Sequence, residues 1–198
     1  MNKEMLEFIK SRRSTRKFLP KPLEREKLDA VLEAGRYAPS GGNNQSTHLI
    51  VIEDKEVLAK LAAMAEKAFA AMEVTEGMYK SMAGSVRAAK RGGYVFHYQP
   101  AALILTANQK DYSNNLVDCA CVLENMMLMA NALDLGSVWI NQMKWLNEDP
   151  EINAYLFSLG MKESERVYGG LALGYPDTED GLPNRVALPR TGNEVTYI

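Results

Sequence analysis

The feature that most constrains the fold is a long apolar run, LVDCACVLENMMLMANAL, at positions 116–133. A helix that crosses a bilayer needs about 20 mainly apolar residues, and polar groups inside it are costly. This run contains four polar residues, Asp118, Glu124, Asn125 and Asn131. We therefore expect an internal helix, from a cap at Ser113 to a stop at Gly136, and no membrane association.

Helical and strand-like patterns alternate along the rest of the chain. Helices are predicted over 2–11, 23–36, 55–72 and 149–159, the third capped by Asp54, and strands over 48–53, 101–108, 137–143 and 166–176. Residues 73–98 are consistent with either a mobile lid or a pair of helices. With 198 residues, the chain is expected to form one domain, 1–198. The alternation predicts an α+β fold, a three-layer α/β/α sandwich.

The last segment of the chain, 177–198, has no evident partner in the sequence. It contains Pro, Gly and Arg residues and closes with the strand-like EVTYI. An extended tail of this length on a compact domain often wraps a neighbour, and a second subunit is the natural candidate.

Charge and cysteine content exclude several function classes. The net charge of −2 and the isoelectric point of about 5.8 argue against general nucleic-acid binding. Cys119 and Cys121 are separated by one residue, which suits free thiols in a reducing cytoplasm rather than a redox pair. The N-terminal stretch is amphipathic, which argues against a secretory signal. His48 and His97 have no accompanying ligand pattern, so no metal site is expected.

The stretch SRRSTRKF, residues 11–18, concentrates positive charge in an otherwise acidic chain. It holds Arg12, Arg13, Arg16 and Lys17, with Ser and Thr hydroxyls between them. Guanidinium groups and hydroxyls together suit a phosphate. The alternatives are a solvated basic patch or a nucleic-acid arm.

The stretch PSGGNNQ, residues 39–45, combines two glycines with three amide side chains, Asn43, Asn44 and Gln45. Glycines allow the backbone to approach a ligand, and amides both donate and accept hydrogen bonds, as the edge of a heterocycle requires. A simple Gly-Asn turn is the alternative. Because the two stretches flank one predicted helix, 23–36, both could face a single phosphorylated heterocycle.

RRSTRKF, followed by a helix that ends in APSGGNNQ, resembles the two N-terminal signatures of the nitroreductase family of FMN-dependent oxidoreductases, R-R-S-x-R and A-P-S-x-x-N-x-Q. ENMMLMANALDLGSVWI and LALGYP are similar to later family patterns. The resemblance implies a central mixed, mainly antiparallel sheet with helices on both sides. It also implies an intertwined homodimer with two FMN molecules at its interface, across which each tail reaches the other subunit. NADH or NADPH would supply electrons, through FMN, to a small acceptor such as a nitroaromatic or a quinone.

The resemblance also assigns roles to individual residues. Arg12 and Ser14 match positions at the FMN phosphate or ribityl chain, with Arg13 beside them, and Arg16 matches a basic position near N1 and O2 of the ring. Asn43 and Gln45 match ring-edge positions. Ile140 and Asn141 match positions whose backbone meets the N5 side. Arg190 matches the tail arginine that closes on the phosphate, and Arg185 is the second choice for this role. Ser46 and Thr47 stand where many members have Pro-Trp, which affects packing beside the flavin loop.

Several alternatives stay open at this point. The same scaffold also suits ene reduction, dehalogenation, flavin reduction or flavin sequestration without catalysis. No side-chain nucleophile is expected, because the cofactor performs the chemistry. Four aromatic residues of the uncertain segment, Tyr79, Tyr94, Phe96 and Tyr98, either line a substrate pocket or belong to the core.

Overall fold

The computed structural model describes residues 3–198. Its helices are α1 (Lys3–Ser11), α2 (Arg25–Arg36), α3 (Lys55–Ala70), α4 (Lys80–Arg91), α5 (Asn115–Ala132), α6 (Gln142–Trp145) and α7 (Pro150–Ser158). Its strands are β1 (His48–Ile52), β2 (Ala102–Gln109), β3 (Gly136–Ile140) and β4 (Glu165–Gly174). The chain forms an α+β fold, as predicted from the alternation of patterns.

The four strands form one sheet in the order β1-β2-β4-β3, so β1 and β3 are its edges. All three pairings are antiparallel. The parallel component among the described residues is a single isolated bridge between Ser14 and Ser137. A mainly antiparallel sheet is thereby confirmed.

Helices cover both faces of this sheet, because the central strand β2 is apolar on both sides. Leu103 and Leu105 point into a core shared with α3, α4, α6 and α7. Ile104 points into a second core, shared with α2 and α5. Alternate side chains of a strand face opposite sides, so one apolar strand supports two helical layers. The three-layer sandwich is confirmed.

The long apolar run forms α5, but its ends differ from the prediction. Asn114, not Ser113, precedes the first turn, and the helix ends at Ala132. Asp134 then takes the left-handed conformation, with φ of 60°. Gly136 consequently does not stop the helix and is instead the first residue of β3.

Local sequence predicted other boundaries with mixed success. The Asp54 side chain accepts hydrogen bonds from the N–H groups of Glu56 and Val57, which confirms the predicted cap of α3. The strand predicted to reach residue 143 is wrong beyond Ile140, because Asn141 is helical and precedes α6. One helix, α4, forms in the uncertain segment 73–98.

The tail that follows β4 contains no helix or strand. The strand expected at 194–198 does not form in the single chain. Within residues 3–198, no helix combines the length and the apolar character needed to cross a membrane.

Candidate functional site

The basic loop, residues 12–17, lies against the start of β3. The Thr15 N–H donates to the Ser137 carbonyl over 2.9 Å, beside the parallel bridge between Ser14 and Ser137. A Cβ atom on Gly136 would lie 2.6 Å from Thr15 Cγ2. The close approach of the basic loop to the sheet therefore requires glycine at position 136.

The cations of this loop differ in what they contact. Arg13 Nη1 donates to the Val186 carbonyl over 2.5 Å, which joins the loop to the tail. Within residues 3–198, the guanidinium groups of Arg12 and Arg16 have no hydrogen-bond or ion-pair partner. Arg16 is exposed and Arg12 is half-buried. Two uncompensated cations thus stand beside the exposed Ser14 hydroxyl, an arrangement that suits an anion.

The two tail arginines lie in different places. Arg185 Nη2 donates to the Asn131 carbonyl over 2.5 Å and to Asp134 Oδ1 over 2.6 Å, at the C-terminal end of α5. Asn131 Nδ2 in turn donates to Ser11 Oγ over 2.9 Å. The structure therefore brings Arg185 to the basic loop. Among residues 3–198, the contact of Arg190 is local, a hydrogen bond of 3.4 Å to the carbonyl of Leu188.

The second predicted stretch forms a strained loop, residues 40–45. A 3₁₀ turn spans Gly41–Asn43. Gly42, Asn43 and Gln45 have φ of 60°, 55° and 50°. Asn adopts this left-handed region more readily than most residues, whereas Gln rarely does, and such strain is typical of ligand loops.

Contacts from other elements hold this loop in place. The Gly41 N–H donates to Asp118 Oδ1 over 3.0 Å. The Tyr112 hydroxyl lies 3.0 Å from Asp118 Oδ2 and 3.2 Å from the Gly41 carbonyl. Within the loop itself, the Gln45 N–H donates to Ser40 Oγ over 2.9 Å. A Cβ atom at position 41 would lie 2.1 Å from Asn114 Nδ2, so any other residue there would displace the Asn114 side chain.

The two loops do not face one site within a single chain. The strained loop contacts Asp118, in the first turn of α5, whereas the basic loop lies near Asn131, in its last turn. At 1.5 Å per residue, these positions are about 20 Å apart. Within one chain the two loops therefore do not meet, and the prediction that both face one ligand stays a prediction that requires a second chain. The reason is that α2, which connects them, packs along α5 with Gly35 beside Met126.

Ile140 and Asn141 lie at the opposite end of β3 from the basic loop. The Ile140 side chain is buried in the core shared with α3 and α7, so only its backbone can serve a ligand. Asn141 Oδ1 accepts a hydrogen bond from Trp139 Nε1 over 2.9 Å. The expectation that these positions act through the backbone is compatible with this arrangement and stays a prediction.

A cavity of about 620 Å³ lies beside the strained loop and is lined by Asn43, Gln45, Thr47 and Asp118, among others. Small-molecule sites commonly have volumes of this order. Thr47 stands where the family resemblance leads us to expect tryptophan, and its hydroxyl lies 3.5 Å from Asn108 Nδ2 and 3.9 Å from Cys119 Sγ. Burial raises the pKa of the Cys119 thiol to about 11, so that thiol is protonated at neutral pH.

None of the four aromatic residues of the segment 73–98 lines this cavity. Phe96 is buried in the core. The Tyr94 hydroxyl accepts a hydrogen bond from Gln142 Nε2 and shares another with the Ser85 hydroxyl. Tyr94 also lines a second cavity, of about 650 Å³, between α3 and residues 19–22. There His97 Nδ1 accepts from the Gln99 N–H, and Nε2 donates to the Leu58 carbonyl. Burial lowers the pKa of His97, which keeps this structural imidazole neutral.

Comparison with known proteins places the chain in a family. Residues 9–175 match the model of the nitroreductase family, and the chain belongs to that family of oxidoreductases. A nitroreductase from Bacteroides fragilis, solved with bound FMN, is 34% identical, covers 98% of both chains and superposes with a TM-score of 0.84. A 4-nitrobenzoate reductase from Pseudomonas putida is 26% identical over 92% of this chain and 89% of its own length. An NADPH-flavin oxidoreductase from Vibrio harveyi is 26% identical over 97% and 74%. The family predicted from the two N-terminal signatures is confirmed.

Sequence reasoning missed the residues that hold the two loops. Asp118, Tyr112, Asn131 and Asp134 were assigned no role, although two of them interrupt the apolar run of α5. Asp118 and Asn131 are each only 3% exposed. A buried polar residue needs a hydrogen-bond partner, so these interruptions were the available signal.

Proposed function

We propose that this protein is an FMN-dependent oxidoreductase whose site is shared between two copies of the chain. The observation that carries this proposal is the position of the two signature loops at opposite ends of α5. One end supplies the free cations Arg12 and Arg16, and the other supplies the amides Asn43 and Gln45. Neither end alone offers both an anion site and a ring-edge site.

A twofold axis that is perpendicular to α5 and passes beside its midpoint would solve this problem. Two copies of α5 related by such an axis run antiparallel, so the first turn of one lies beside the last turn of the other. The basic loop of one subunit then faces the strained loop of its partner. The same operation makes two equivalent sites, which agrees with the two FMN molecules that the family resemblance implies.

Exposed apolar side chains support such a dimer. Leu6 and Ile9 of α1 are 41% and 46% exposed, and Val117 of α5 is 58% exposed. In the tail, Val195 and Tyr197 are 71% and 91% exposed. Exposed apolar side chains of this kind are common at protein interfaces. The tail 177–198 is accordingly proposed to reach the partner subunit.

The residues of the basic loop fit the phosphate of FMN. Arg12 and Ser14 would hold the phosphate or the ribityl chain, with Arg13 fixing the adjoining tail. We favour Arg185 over Arg190 as the tail arginine that closes on the phosphate, because the contact between Arg13 and the neighbouring Val186 places Arg185 beside the loop. This choice reverses the preference drawn from the sequence.

FMN, when bound, supplies two-electron chemistry between a reduced nicotinamide and a second substrate. The protein's own contribution is electrostatic and steric. The free guanidinium of Arg16 would stabilise negative charge near N1 and O2 of the ring. Asn43 and Gln45 of the partner would bind the ring edge, and the backbone at Ile140 and Asn141 would face the N5 side.

The electron donor is proposed to be NADH or NADPH, and the acceptor a small organic molecule such as a nitroaromatic or a quinone. The names of the relatives from Pseudomonas putida and Vibrio harveyi support these two classes of substrate. A cytoplasmic location agrees with the protonated, buried thiol of Cys119 and stays a prediction.

The visible absorption spectrum of the purified protein tests this function. We expect flavin bands that bleach when NADH or NADPH is added without air and that return when a nitroaromatic or a quinone is added. A protein that stays colourless after incubation with FMN would contradict the proposal. If the bands return with oxygen or free flavin but not with a nitroaromatic or a quinone, the proposed acceptor class is wrong and the activity is flavin reduction.

A further inference from the structure

The strained loop 40–45 raises the question of what maintains its conformation. Asn43 and Gln45 both occupy the left-handed region. Each such residue costs about 1–3 kcal/mol and persists only where surrounding contacts fix it. Hydrogen bonds within the loop join Asn43 N–H to the Ser40 carbonyl and Gln45 N–H to Ser40 Oγ, but these cannot place the loop on the body of the protein.

Two side chains from outside the loop supply that attachment. Asp118 is nearly fully buried, and its two carboxylate oxygens are divided between Gly41 N–H and the Tyr112 hydroxyl. Partial burial raises the pKa of Tyr112, and the hydrogen bond with Asp118 raises it further. The hydroxyl is therefore protonated and can donate at neutral pH. Asp118 lies in the first turn of α5, where the helix dipole favours a negative charge.

We propose that Asp118 and Tyr112 form a brace that positions the strained loop for its ligand, with Asp118 as the principal positioning residue. This inference rests on the proposed function, since the ligand is the ring edge of FMN. It assigns neither residue a contact with the flavin. Asp118 acts through Gly41, and Gly41 sets the start of the turn that carries Asn43 and Gln45.

Substitutions at position 118 separate hydrogen bonding from charge. In Asp118→Asn, the side-chain oxygen still accepts from the Gly41 N–H. The new amide group can donate to the Tyr112 hydroxyl, if that hydroxyl turns its own proton toward the Gly41 carbonyl. Asp118→Ala removes both interactions. Tyr112→Phe removes one and serves as the second variant if Asp118→Ala does not fold. Asp111→Asn is the control, because Asp111 is an exposed carboxylate in the same segment.

The first measurement is amide hydrogen exchange of peptides that cover residues 37–49, without added FMN. Losing a buried hydrogen-bond partner should accelerate this exchange about tenfold or more in Asp118→Ala and less in Tyr112→Phe. Asp118→Asn and Asp111→Asn should stay within about threefold of the wild type. Equal exchange in Asp118→Ala and the wild type would overturn the brace, as would equal acceleration in Asp118→Asn and Asp118→Ala.

The second measurement is FMN titration of the same variants. The dissociation constant should rise about tenfold in Asp118→Ala and be largely restored in Asp118→Asn. Unchanged affinity despite faster exchange would refute the link between the brace and the ligand. A wild-type protein that binds no FMN would instead refute the proposed function, while the exchange data would still decide whether the brace exists.

Discussion

At the scale of single residues, Arg16 is the side chain with the most direct chemical consequence. Its guanidinium has no partner within residues 3–198, so its full charge is available to a ligand. Replacing Arg16 by Ala should lower the reduction potential of bound flavin, since a fixed cation favours the reduced, anionic ring. Acceptor turnover should fall by about tenfold or more, with a smaller effect on FMN affinity.

Redox titration and steady-state kinetics measure these effects, with Lys17→Ala as the control. Lys17 is also an exposed cation in the basic loop but has no assigned ligand contact. An Arg16→Ala protein with the potential and turnover of the wild type would show that the assigned role is wrong.

A second residue-scale prediction concerns the buried carboxylate of Glu165, which joins β4 to β1. His48 Nδ1 lies 2.9 Å from Glu165 Oε2, and the Lys162 N–H donates to the same oxygen over 3.0 Å. Burial alone raises the pKa of Glu165, but these hydrogen bonds outweigh it and leave the pKa below its ordinary value of 4.5. Because the folded pKa is the lower one, the stabilisation is complete above about pH 4.5 and is lost as the pH falls through the folded pKa.

Glu165→Gln should therefore lower the free energy of unfolding at neutral pH by about 1–3 kcal/mol. The difference from the wild type should shrink below about pH 4.5, because protonation removes the same interaction from the wild type. Chemical denaturation at several pH values measures it, with the exposed neighbour variant Glu163→Gln as the control. A difference that is constant with pH would show that the charge of Glu165 is not what stabilises the fold.

At the scale of elements, the contact between the basic loop and β3 depends on Gly136. A methyl group there would meet Thr15, so Gly136→Ala should push the loop away from the sheet. Overpacking of this kind typically costs about 1–3 kcal/mol, and FMN affinity should fall with the stability. Calorimetry measures the change in stability, and flavin titration measures the change in FMN affinity.

Gly84→Ala is the matched control for this substitution. Gly84 lies in α4, where an added Cβ meets nothing within 4 Å, so alanine should stabilise the helix by about 0.5–1 kcal/mol. If Gly136→Ala were as stable and bound FMN as well as the wild type, the basic loop would not depend on its approach to β3.

The elements also show why some boundaries could be predicted and others not. The cap at Asp54 depends on neighbouring residues alone, and the sequence predicted it. The end of α5 does not depend on neighbouring residues alone. Asp134 takes the left-handed conformation that glycine usually adopts, and Gly136 is instead required by its contact with Thr15, more than a hundred residues earlier. Tertiary contacts of this kind leave no local pattern.

At the scale of the whole molecule, both signature loops were predicted from the sequence, but their relation to each other was not. Two loops that flank a short helix seem close in sequence. The packing of α2 along α5 places them about 20 Å apart, at the two ends of α5. The residue types could therefore indicate a phosphate and a ring edge, whereas the fold shows that the two loops lie at opposite ends of α5 in one chain.

The shared site is the central claim, and FMN content of a tagged heterodimer tests it most directly. One chain carries Arg12→Ala and Arg16→Ala, and the other carries Asn43→Gly and Gln45→Gly, in which glycine tolerates the positive φ. Each homodimer should bind FMN poorly. In the heterodimer, one site combines both damaged loops and the other combines both intact loops, so we predict one FMN per dimer, about half the wild-type content. A heterodimer as empty as the two parent homodimers would mean that both loops serve one chain's own site, and would contradict the account.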